Sequence, residues 1–146
     1  MTPLRPNYLR QKGLFEVGRN LYYTIPKYLE NSLDKHTKVR SWQRIDHPKN
    51  DNDFIYRIKR NDRLSDITLH ASDEYSYSLT DYFQKPAQIS EGAFILIARP
   101  EAVYEDAIVE IAQSDQISIG KFSALMGALY KEEHWNYVPK ERREEN

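Results

Sequence analysis

Two groups of residues have types and spacings that could do chemistry. Lys38, Arg40, Trp42 and Arg44 recur at every second position, and Arg57 and Lys59 repeat that spacing further along the chain. In a β-strand, period two sets Lys38, Arg40, Trp42 and Arg44 on one face and Val39, Ser41, Gln43 and Ile45 on the other. Arg57 and Lys59 likewise lie opposite Phe54, Tyr56 and Ile58. Pairing the two segments is expected to gather five cations and an indole on one sheet surface. Clustered Lys and Arg attract phosphates, and an aromatic ring among them stacks on an unpaired base. An ordinary solvated strand face carries the same alternation. The second group is Asp66, His70, Asp73 and Glu74, since histidine with carboxylates can hold Mg²⁺, Mn²⁺ or Zn²⁺. Asp66 and His70, four apart, project to the same side of a strand. His47 with Asp51 and Asp53 forms a looser set in a turn-rich stretch.

Other chemistry is excluded by what the chain lacks. With no cysteine there is no thiolate nucleophile, disulfide or Cys-ligated metal. The five glycines form neither a Gly-x-Ser-x-Gly elbow nor a Gly-x-Gly-x-x-Gly loop. Gly120-Lys121 does not end a phosphate-binding loop, because Asp115 replaces its first glycine and Phe122 the Ser/Thr that would meet Mg²⁺. No catalytic motif is found, so whether the chain is an enzyme stays open, and no cofactor is expected. His134-Trp135-Asn136-Tyr137 is aromatic enough to latch onto the core or onto a partner, and the latch onto the chain's own core is the favoured reading.

The elements that must position these residues follow from periodicity. Pro26 starts a helix over about 26–36, with Tyr28, Leu29, Leu33 and His36 at helical spacing. Lys38–Ile45 and Phe54–Arg60 make a hairpin, and Asp66–His70 a third strand. Ser72–Lys85 is ambiguous between strand and helix. Phe94–Ala98, wholly apolar, reads as a strand buried on both faces. Pro100 opens a helix with stripe Val103, Ala107, Ile108, Ile111 and Ala112; Ser118 caps another with stripe Phe122, Leu125, Met126 and Leu129. The fold expected is α+β: a small antiparallel or mixed sheet, one N-terminal helix and a C-terminal helical hairpin. Residues 1–138 are taken as a single domain with an extended arm at 1–14, and 139–146 as a charged, flexible tail.

The stretch from Ala107 to Met126 resembles the helix-turn-helix unit of bacterial repressors, through Ile111-Ala112, Ile117-Ser118, Phe122 and Leu125. That resemblance implies that Ile119, Gly120, Lys121, Ser123 and Ala124 face DNA in the major groove. Gln116 stands where the turn usually has glycine, and Asp115 where an apolar residue is usual.

Charge is segregated. Residues 35–64 hold nine Lys/Arg against four Asp/Glu, while 65–95 hold one against five and 96–146 six against ten. Such segregation marks a face for a polyanion or an acidic partner. The start of the chain lacks the apolar stretch of a secretory signal, and the longest apolar run, Ala93–Ala98, is too short to span a bilayer. The expectation is a cytoplasmic binding module that contacts DNA or RNA through Lys38, Arg40, Trp42, Arg44, Arg57 and Lys59, with no membrane role. The alternatives are a protein-interaction subunit, with a protein partner or by self-association, and a metal-dependent hydrolase or nuclease built on Asp66, His70, Asp73 and Glu74.

Overall fold

The structure, a computed structural model, describes residues 25–45 and 53–137. The arm at 1–14, the tail at 139–146 and the turn residues His47 and Asp51 lie outside them. The chain divides into two compact units, Met1–Ser32 and Leu33–Asn146. Helix α1 covers residues 25–35, which gives the N-terminal helix that the spacing predicts. In the first unit Ile25 and Leu29 are buried, whereas Tyr28 is exposed and its carbonyl accepts a 2.9 Å bond from Ser32 Oγ.

The second unit is built on a mixed sheet. Its strands are β1 (Val39–Ile45), β2 (Phe54–Arg60), β3 (Ile67–Ser72), β5 (Phe94–Ile97) and β7 (Ser118–Gly120), side by side in that order. The first three are antiparallel, and β5 and β7 continue parallel to β3. β4 (Ser76–Tyr77) and β6 (Val103–Tyr104) pair in parallel as a separate small sheet. The helices are α2 (Leu79–Phe83), α3 (Asp106–Ser114) and α4 (Phe122–Ala128), with a 3₁₀ turn at His134–Asn136. Among the described residues, no helix is long and apolar enough to cross a membrane.

Every residue of β5 is buried, as its unbroken apolar run requires, because a central parallel strand is covered on both faces. On one face Ile55, Ile95, Ile97 and Ile119 join Tyr82 of α2 and Ile108 and Ala112 of α3 in a single core. On the other, Tyr56, Ile58, Leu69 and Phe94 are buried, and α4 packs against β5. The ambiguous 72–85 stretch resolves into β4 followed by α2, because Ser78 and Asp81 form a reciprocal capping box that starts the helix.

The C-terminal part differs from the expected helical hairpin. α3 begins at Asp106, not at Pro100, because Val103 and Tyr104 leave the helical stripe to pair with Ser76 and Tyr77. Ser118 is not a helix cap but the first residue of β7, which lies between α3 and α4. α3 ends in a Schellman arrangement: Ile117 N–H donates to the Ala112 carbonyl at 2.8 Å and Gln116 N–H to that of Gln113 at 2.9 Å. Gln116 takes the left-handed position, at φ 61°.

Candidate functional site

The β1–β2 register decides which cations share a surface. Trp42 lies opposite Ile58, Arg44 opposite Tyr56, Gln43 opposite Arg57 and Ser41 opposite Lys59. Residues paired directly across a ladder share a face. Trp42 and Arg44 are therefore on the face of Tyr56 and Ile58, while Arg57 and Lys59 are on the opposite face with Ser41 and Gln43. The expected single surface of five cations and an indole is not formed. A register shift between Val39 and Ser41 leaves Arg40 as the extra residue of a bulge, exposed beside the Ser41–Lys59 pair.

The neighbours of each cation divide them further. Lys38 is ion-paired with Asp62, and Lys59 Nζ is 3.9 Å from an Asp66 carboxylate. The Arg44 guanidinium lies over the Phe54 ring, 5.3 Å from its centroid. Trp42 donates its indole N–H to Asp34 at 2.7 Å and packs edge-on to Tyr56 at 5.8 Å. Arg40 and Arg57 are exposed and have no carboxylate partner among the described residues. Arg60, by contrast, is 4% exposed and structural. It donates to the carbonyls of Ser65 (2.7 Å), Leu129 (3.0 Å) and Lys131 (2.8 Å), so it holds the end of α4 against β2. The open face of β1–β2 carries Arg57 and Lys59 among the polar Ser41, Gln43 and, on β3, Thr68, with Arg40 at the bulge next to Ser41.

The set Asp66, His70, Asp73 and Glu74 does not converge. Four residues of strand separate Asp66 from His70 by about 13 Å, and Asp66 faces Lys59 instead. His70, 4% exposed, donates from Nε2 to Asp53 Oδ2 at 3.0 Å. Asp53 Oδ1 accepts the Asp73 N–H at 2.9 Å. The Asp73 carboxylate is paired with Arg99 Nε at 2.9 Å, and Arg99 donates to the Asp73 carbonyl and to the Tyr75 hydroxyl, 2.8 Å each. Burial pushes the Asp73 carboxyl above its usual range, and the bond from Arg99 opposes that. Glu74 is raised too, by burial and then by Asp81, Asp53 and Asp73. Among the described residues no three His or carboxylate groups are placed to hold a metal ion. The network ties the start of β2 to the ends of β3 and β5, and the Asp53 and Asp73 carboxylates are engaged by the chain itself. Asp53, in the looser set with His47 and Asp51, becomes the key partner only through the β2–β3 register, which aligns Ile55 with His70.

A third cluster joins the latch residue His134 to Ser118 of β7. The Ser118 hydroxyl lies 2.6 Å from His134 Nδ1, and His134 Nε2 lies 2.9 Å from the Gly92 carbonyl. A carbonyl only accepts, so Nε2 donates and Nδ1 accepts the Ser118 proton. Burial draws the His134 pKa down to about 4. The pair has the spacing of a nucleophile and its base, but so weak a base takes a serine proton poorly, and no carboxylate supports its other nitrogen. The adjoining cavity, about 30 Å³ and lined by Phe94, Trp135 and Tyr137 among others, has room for about one water molecule. The cluster clasps the 3₁₀ turn to β7 and to the Gly92 turn. Gly127 makes room for this latch, since a Cβ there would lie 2.2 Å from the Tyr137 hydroxyl.

The residues implied to face DNA are placed otherwise. Ile119, Gly120 and Ala124 are buried, and Lys121 Nζ bonds the Pro100 carbonyl at 2.7 Å. β7 pairs with β5 where a helix-turn-helix unit would have its turn, so the two helices cannot adopt that motif. No protein-family model, curated protein or solved structure matches this chain.

Proposed function

We propose that the chain is a cytoplasmic binding module that contacts the phosphates of DNA or RNA through the open β1–β2 face. The observation that carries this reading is the pair Arg40, at the irregularity of β1 next to Ser41, and Arg57, on the face of Ser41 and Gln43, both exposed and without a carboxylate partner among the described residues. Lys59 adds a third cation, partly offset by Asp66. Ser41, Gln43 and Thr68 between them are polar groups suited to phosphate and sugar contacts. Trp42 lies on the reverse face with its N–H on Asp34, so the reading assigns it no base stacking there. It also leaves Lys38 to Asp62 and Arg44 to Phe54. Binding of this kind positions the backbone and carries little base preference.

Fluorescence anisotropy with a labelled oligonucleotide tests the proposal. Substituting Arg40→Glu together with Arg57→Glu should reduce affinity at least tenfold at low salt, where phosphate contacts are strongest. Arg44→Glu, on the opposite face, should have much less effect. Equal losses from both changes would refute the assignment of the face.

A further inference from the structure

We infer that the outer edge of β1 docks an extended acidic segment of a partner protein, added to the five-stranded sheet as one more strand. β1 ends the strand order and, among the described residues, pairs with β2 alone. An edge strand presents a row of N–H and C=O groups that template another strand. The opposite edge, β7, has only three residues and leads directly into α4, so it offers little ladder. In β1 the bulge is confined to the Val39 end, and Ser41–Ile45 pairs with β2 residue for residue. That regular stretch of five residues sets the length of the incoming strand.

Charge selects the occupant. Arg40 at the bulge and Arg57 on the neighbouring strand are exposed cations with no carboxylate partner among the described residues, within a stretch whose sequence balance is nine basic to four acidic residues. A second copy would bring to the edge a β1 strand with two arginines and no carboxylate, the wrong sign for Arg40 and Arg57. The chain's own residues 1–24 carry four Lys/Arg against one Glu, which is again the wrong sign. A strand with carboxylates on the side of Gln43 and Arg57, and apolar residues on the side of Trp42, satisfies both faces of the edge. This inference concerns the backbone edge of the hairpin, whereas the phosphate contact concerns its open face; Arg40 and Arg57 serve both, so the backbone change in the test, not the charge change, tells the two apart.

The test uses a capped, labelled peptide alternating glutamate with valine, titrated against the full chain by anisotropy and by backbone amide NMR. The parent peptide is expected to bind at low salt and to shift the amides of Val39–Ile45 most. N-methylation of alternate residues removes the edge donors and keeps the charge, and should weaken binding at least tenfold. A lysine-for-glutamate peptide, or the Arg40→Glu chain, should show a comparable loss. Equal binding of the methylated peptide, or shifts centred away from β1, overturns the inference, as does a parent peptide that fails to bind. The methylated peptide and the amide shifts leave oligonucleotide binding untouched, which is read with its own probe, whereas Arg40→Glu is expected to weaken both.

Discussion

Acidification should loosen the chain through one residue, His134. The imidazole is 2% exposed, accepts from Ser118 and donates to Gly92, and its pKa falls from 6.5 to about 4 because burial penalises the charged form. Its folded-state pKa lies below the unfolded value, so the unfolded chain takes up the proton first as pH falls. The contribution is whole above pH 6.5 and is lost as pH drops toward 4. The difference is worth about 3 kcal/mol, a large part of the stability of a domain of this size. Urea unfolding at pH 7.5, 6.5, 5.5 and 4.5 measures it, with the His134→Gln variant as reference. Glutamine keeps one donor and one acceptor and does not titrate, and the carboxylates contribute alike to both proteins. The wild type should lose about 2.5 kcal/mol more than the variant between pH 7.5 and 4.5, the rest being lost below that range. Parallel pH profiles would refute the buried neutral imidazole and the clasp built on it.

Arg60→Met keeps the buried stem and removes the donors to Ser65, Leu129 and Lys131, so urea unfolding should show a loss of about 2–4 kcal/mol; an unchanged midpoint would contradict its role. Gln116→Gly relieves a left-handed backbone at φ 61° and should raise stability by about 1 kcal/mol, read from the same curves.

The sequence is most legible where a residue's environment is local or uniform. The run Phe94–Ile97 could only be a strand covered on both sides, and Leu29 and Leu33 place α1 by their spacing alone. The aromatic turn at His134 is also visible as a latch. Long-range pairing settles the rest. β7 is three residues long and exists because Ser118, Ile119 and Gly120 line up with β5; taken alone, Ser118 looks like a helix cap. Val103 looks helical until Tyr75 and Ser76 claim its backbone.

The candidate site depended on parity. Period two correctly groups Arg57 with Lys59 and Trp42 with Arg44, but one residue of register decides whether those pairs share a face, and the hairpin connection does not reveal it. The bulge at Arg40 is equally invisible, since nothing in its local sequence distinguishes it from the next turn of the alternation. The Asp53–His70 contact spans a strand pairing and needed that register too.

The salt dependence of oligonucleotide affinity tests the phosphate-contact proposal most directly. Three cations on single-stranded nucleic acid predict a slope of about −2 in log affinity against log salt. Removing one with Arg57→Ala should make it shallower by about 0.7. A slope near zero, or one that Arg57→Ala leaves untouched, would contradict the assignment of the open β1–β2 face as a phosphate-binding surface.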